Sequence, residues 1–102
     1  MAINVKEKNN LITIQLNGSF DVGQYEEFKS ICEGYKSPEY KFEIDFENTV
    51  YMDSSALGML LLLREQTKGD KEKVQLINVS GTVLRILEMA HFNQLFNVVT
   101  VD

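Results

Sequence analysis

Few side chains in this sequence are of the kinds that do chemistry, and their spacing narrows the options further. Histidine occurs once, at His91, and cysteine once, at Cys32. A metal centre draws three or four ligands together, so this chain has no His/Cys cluster of ligand spacing, and neither a metal nor a cofactor is expected. His91 closes a helical pattern beside Phe92, where a positive charge suits the negative end of a helix, and that role is preferred to catalysis. Cys32 has no partner for a disulfide and reads as a small buried hydrophobe within another helical pattern. Gly18-Ser19-Phe20-Asp21-Val22-Gly23 sets two glycines at phosphate-loop separation, but Gln24 and Tyr25 stand where the lysine and the metal-binding hydroxyl belong. Glu43, Asp45 and Glu47 share one strand face, and evenly spaced carboxylates on an open sheet read as a solvated surface. No enzyme is expected.

One segment stands apart: Val50-Tyr51-Met52-Asp53-Ser54-Ser55-Ala56-Leu57-Gly58-Met59-Leu60. It places a carboxylate and two hydroxyls at the turn from strand into helix, where four backbone N–H groups lack intrahelical partners. Asp53 or Ser54 caps the helix by accepting from an amide two or three residues on, which leaves the other polar side chain for another task. On the helical wheel Ser55 shares its face with Gly58, Met59 and Leu62, while Leu57, Leu60, Leu61 and Leu63 spread over the other side. Flanking helices account for Leu61 and Leu63. Met59 and Leu62 are divided evenly between the core and an exposed docking stripe headed by the serine.

The elements that position this turn follow from hydrophobic periodicity. Ile3 and Val5, then Leu11 to Leu16, alternate around Asn9-Asn10 as a β-hairpin. Val22, Tyr25, Phe28, Ile31, Cys32 and Tyr35 recur at helical spacing from Asp21, with Asp21 and Gln24 as a capping box and Gly34 and Pro38 ending the helix. Phe42, Ile44 and Phe46 alternate with carboxylates, which implies helices on one face of the sheet only. A second helix spans Ser54 to Lys68, with Gly69 as its left-handed C′ residue. Val74 to Val79 is a strand, Thr82 to His91 a third helix, and Leu95 to Val99 an edge strand. The order β-β-α-β-α-β-α-β gives a singly wound α/β layer, a mixed sheet with all three helices on one side.

The 102 residues suffice for one domain, residues 1–102, with no linker or repeat. Fifteen acidic against ten scattered basic residues, a net charge of -5, argue against nucleic-acid binding. The longest apolar run is the five residues Met59 to Leu63, so no membrane insertion is expected and a soluble, cytoplasmic protein is the expectation.

Asp53-Ser54-Ser55-Ala56-Leu57-Gly58-Met59-Leu60 resembles the signature of STAS domains, specifically the bacterial anti-sigma-factor antagonists. Leu16-Asn17-Gly18-Ser19-Phe20-Asp21 is similar to the family's turn before helix one, with Phe20 for the usual leucine. Val83 to Val98 is similar to its last helix and strand. The resemblance implies that Ser55 is the phosphoacceptor, with Ala56 replacing the commoner glycine, and that Asp21 lies near the serine turn. It implies a partner switch. The unphosphorylated protein binds an anti-sigma factor that is also a serine kinase, phosphorylation of Ser55 ends the association, and a metal-dependent serine phosphatase resets it. Asp21, Asp53, Ser54, Ser55, Gly58, Met59 and Leu62 are the expected partner-binding residues. The alternative is an accessory subunit of a membrane transport complex for lipids or anions. The sequence leaves the oligomeric state open.

Overall fold

The computed structural model describes residues 3–101. Strands β1 (Ile3–Lys8) and β2 (Leu11–Leu16) form an antiparallel hairpin. Its two connecting residues, Asn9 and Asn10, have φ of 51° and 67°, the left-handed pair that a tight turn matched to strand twist requires and that asparagine tolerates. The chain continues through β3 (Gly18–Phe20), a 3-10 turn at Val22–Gln24, α1 (Tyr25–Glu33), β4 (Lys41–Asp45), β5 (Thr49–Met52) and α2 (Ser54–Gln66). It ends with β6 (Val74–Val79), α3 (Gly81–Met89), a second 3-10 turn at Phe92–Gln94 and β7 (Asn97–Thr100). The main sheet has the order β1-β2-β4-β6-β7, with parallel pairing from β2 onward.

Alternation fixes which side of the sheet is covered. Ile12, Ile14, Leu16, Phe42 and Ile44 are buried beneath the helices, while Thr13, Gln15, Glu43 and Asp45 point the other way and keep contact with solvent. One continuous core results, in which the Phe20 and Phe28 rings meet in a tilted pair with centroids 5.3 Å apart. The expected sequence of elements holds, and the structure adds what it did not include: β3 and β5, a separate two-stranded parallel sheet. Here the sequence shows no usable period, because three or four residues are too few to establish one and Val50 and Tyr51 are both exposed.

Boundaries shift for identifiable reasons. The capping box forms as expected, Asp21 Oδ1 accepting from the Gly23 N–H at 2.9 Å and Gln24 Oε1 from the Asp21 N–H at 2.8 Å, but it opens a 3-10 turn, so α1 begins at Tyr25. At the end of α2 the Lys68 N–H donates to Glu65 O and the Gly69 N–H to Arg64 O, a Schellman pair. That places Lys68, with φ of 59°, at the C′ position expected for Gly69, while Gly69 follows at φ 73°. His91 likewise falls just beyond α3, exposed and left-handed at φ 59°.

Candidate functional site

The β3–β5 pair builds the site. Both strands run parallel and both lead directly into helical turns, so their ends deliver two helix starts side by side. Phe20 pairs with Met52, and the Asp53 N–H reaches Phe20 O at 3.4 Å, which sets Asp21 and Asp53 next to one another. A hydrogen bond from Thr49 Oγ1 to Leu16 O, at 2.7 Å, ties the start of β5 to the main sheet.

Asp53 is the cap of α2: extended at φ -110°, it accepts from the Ala56 N–H through Oδ1 at 3.0 Å. The choice between Asp53 and Ser54 as cap is thereby decided, and neither serine hydroxyl is needed for that task. Ser54 is exposed and Ser55, at the second helical position, is half-buried. Both stand over the first-turn amides, the positive end of the helix, which favours an added negative charge.

The outward face of α2 runs Ser54, Gly58, Leu61, Leu62 and Glu65, the spacing of one helical stripe. Leu62 is 48% exposed and remains on that stripe, as does Gly58. Met59 does not. At 1% exposure it belongs to the core, which corrects its placement among the surface residues: α2 packs against both α1 and the sheet, and its side chain points into that corner. Leu61 is corrected in the opposite sense, since it is 41% exposed rather than covered by a neighbouring helix.

Exposed apolar side chains surround the turn, among them Val22, which the helical spacing from Asp21 groups with the buried stripe of helix one but which lies in the 3-10 turn instead. Val22 follows Asp21 and is exposed, and Val50 and Tyr51 precede Asp53 and are exposed. Ser19 is the partner of Tyr51 across the small sheet, so these residues and the α2 stripe flank the same turn. For Val50 and Tyr51 the available signal was their position beside the Asp53 cap rather than any pattern between them. Between α1 and α2 lies a groove of about 440 Å³, with Met59 and Leu63 at its base and Leu62 on its lip. Gln66 closes its far end, Nε2 donating to Cys32 O at 2.9 Å and Tyr35 O at 3.3 Å. Burial pushes the Cys32 thiol up to about 12, with the Glu33 carboxylate adding to the shift, so it stays protonated.

Among the described residues no group of three or more His, Cys, Asp or Glu side chains is placed to hold a metal ion, and no helix is long and apolar enough to cross a membrane. A STAS-domain containing protein of Pseudomonas aeruginosa (strain UCBPP-PA14) is 40% identical over 87 residues, 85% of this chain and 86% of that protein. The anti-sigma factor antagonist SpoIIAA in its unphosphorylated form superposes with a TM-score of 0.75 at 18% identity, covering 99% of this chain and 88% of that one. The Bacillus cell fate determinant SpoIIAA in its phosphorylated form gives 0.77 at 17%, covering 99% and 92%. A sulfate transporter family protein from Wolinella succinogenes gives 0.73 at 16%, covering 88% and 76%. These three likenesses concern the fold alone. With the STAS domain description matching residues 2–101, and the signature turn formed by β5, Asp53 and α2, the chain belongs to the STAS domain family.

Proposed function

We propose that this STAS domain is an anti-sigma-factor antagonist that works as a phosphorylation-controlled partner switch, with Ser55 as the phosphoacceptor. The observation that carries the reading is the capped first turn of α2, where Asp53 supplies the hydrogen bond and leaves two serine hydroxyls at the head of an exposed Leu61–Leu62 stripe. The unphosphorylated face, with Asp21, Asp53, Ser54, Gly58 and Leu62, docks on an anti-sigma factor that is also a serine kinase. A metal-dependent phosphatase restores it. Likeness to SpoIIAA, whose phosphorylated and unphosphorylated forms fit the chain about equally, supports a modification that leaves the fold intact.

The energetics favour that division of effects. A phosphate adds roughly -1.5 to -2 charge at a helix start that tolerates an anion, so the domain stays folded. In the complex the same dianion, held beside Asp53 and stripped of water, has no paired cation to offset the loss. A penalty of ~3 to 4 kcal/mol weakens binding some hundreds-fold.

Incubation with the candidate kinase and ATP, followed by mass spectrometry, locates the phosphate. Phosphate on Ser54 in a Ser55→Ala variant overturns the assignment. A second reading, an accessory module of a transport complex, is favoured by the likeness to the sulfate transporter family protein. Co-purification with transporter subunits, and unimpaired association in Ser55→Ala and Ser55→Glu variants alike, would select it.

A further inference from the structure

At the opposite end of α2 from the serines, roughly 16 Å from Ser55 by helical rise, a cavity of 360 Å³ opens beneath the last turns of α1 and α2. Its size lies within the range of small-molecule sites. Its wall is aromatic: Tyr35 and Tyr40 meet edge to face with ring centres 5.1 Å apart, and Phe42 is buried behind them. Lys36, Lys68 and Lys73 line it with one carboxylate, Asp70, while Glu7 and Glu39 act on Tyr40 from outside the lining, in a chain whose net charge is -5.

The distribution of donors decides what such a cavity takes. The neutral polar groups are engaged within the protein: Gln66 Nε2 on Cys32 O and Tyr35 O, Thr67 Oγ1 on Leu63 O and Arg64 O, and Ser37 Oγ on Glu39. Those same bonds occupy carbonyls at the two helix ends, which would otherwise repel an anion. Lys73 donates to Pro38 O and keeps further N–H bonds to give. The Tyr40 phenol is held above its ordinary pKa by loss of hydration, then by Glu7, Glu39 and Tyr35, so it remains a proton donor at neutral pH.

We propose that this cavity binds a small anion carrying an aromatic ring, with the ring against Tyr35, Tyr40 and Phe42 and the anionic group between the ammonium groups of Lys36, Lys68 and Lys73. Aromatic pairing and charge-assisted hydrogen bonds supply the two halves of the recognition. The site lies apart from the serine turn and stands whether or not the switch operates.

Phenyl phosphate is the probe, with benzyl alcohol and inorganic phosphate as the ring alone and the anion alone, each titrated into ¹⁵N-labelled protein. Saturable amide shifts confined to residues 35–42 and 66–73 are expected with phenyl phosphate, and either half-probe should bind about tenfold more weakly. The double variant Lys36→Gln/Lys68→Gln alters two exposed side chains, retains the parent spectrum elsewhere, and should weaken phenyl phosphate about tenfold. Unsaturable or scattered shifts, equal binding of benzyl alcohol or inorganic phosphate, or unchanged affinity in the double variant overturns the proposal.

Discussion

Replacing Leu62 with glutamate separates docking from folding, because the structure assigns a size to each effect. Full burial of a leucine is worth ~1.5 to 3 kcal/mol, and Leu62 is 48% exposed, so the substitution gives up about 1 kcal/mol of burial. Leucine and glutamate have nearly equal helix propensity, and repulsion from Glu65 one turn on adds only a few tenths, about 0.3 kcal/mol. Together these come to about 1.3 kcal/mol, so the melting temperature of a domain of this size should fall by about 5 to 10 °C. Met59→Ala, made in the same helix but at a position 1% exposed, removes core volume and should cost ~2 to 5 kcal/mol, a shift about 1.5 to 4 times as large. Calorimetry of both variants, with titration of each against the proposed anti-sigma partner at a temperature where the variant is folded, gives the comparison. Leu62→Glu places a charge in the docked face and should weaken the partner at least about thirtyfold, equivalent to ~2 kcal/mol. A melting shift equal to that of Met59→Ala would show that Leu62 is structural. Unchanged affinity would remove the α2 stripe from the interface.

Asp53→Ala should lose the cap and ~1 kcal/mol of stability, read as a lower urea midpoint, with Asp53→Asn restoring most of it. Lys68→Gly should raise stability by ~1 kcal/mol, since glycine adopts the left-handed backbone without the penalty lysine incurs, and chemical denaturation measures it. Gly69→Ala should cost a similar amount, because φ is 73° and an added methyl group would sit 3.3 Å from the Arg64 guanidinium. Cys32 should resist alkylation in the folded protein and react on unfolding. Its folded pKa of about 12 lies above the unfolded 9.0, so its contribution to stability is complete below pH 9 and is lost as pH rises toward 12; alkaline melting curves of wild type and Cys32→Ala should diverge over that window.

Much of this was legible in the sequence because the signals were local. The Asn9-Asn10 turn, the reciprocal Asp21–Gln24 cap and the alternation of Phe42, Ile44 and Phe46 with carboxylates each depend on neighbours within a few positions, and each takes the expected form. Met59 and Leu61 were harder. A helix apolar on almost every side has no preferred direction of its own, and only the placement of α1 and the sheet turns Met59 inward and Leu61 out. The β3–β5 pair was invisible for a related reason: its strands are joined by register across about thirty residues of sequence, with nothing periodic in Gly18-Ser19-Phe20 to announce it. Cap residue Asp53 was narrowed to two candidates, and the geometry of the turn selects between them.

The small parallel clasp between residues 18–20 and 49–52 also constrains when the serine turn comes into being. Neither segment holds its partner through a hairpin; the intervening helix and strand must dock before the two can meet. A ribosome-bound fragment that has just emerged through Leu60 therefore carries the whole signature, yet presents it in this geometry only after residues 18–20 and 49–52 have paired. Under the proposed switch, a kinase acting on Ser55 meets a shaped substrate only once the first βα unit has been threaded into place, so recognition and assembly of the clasp coincide.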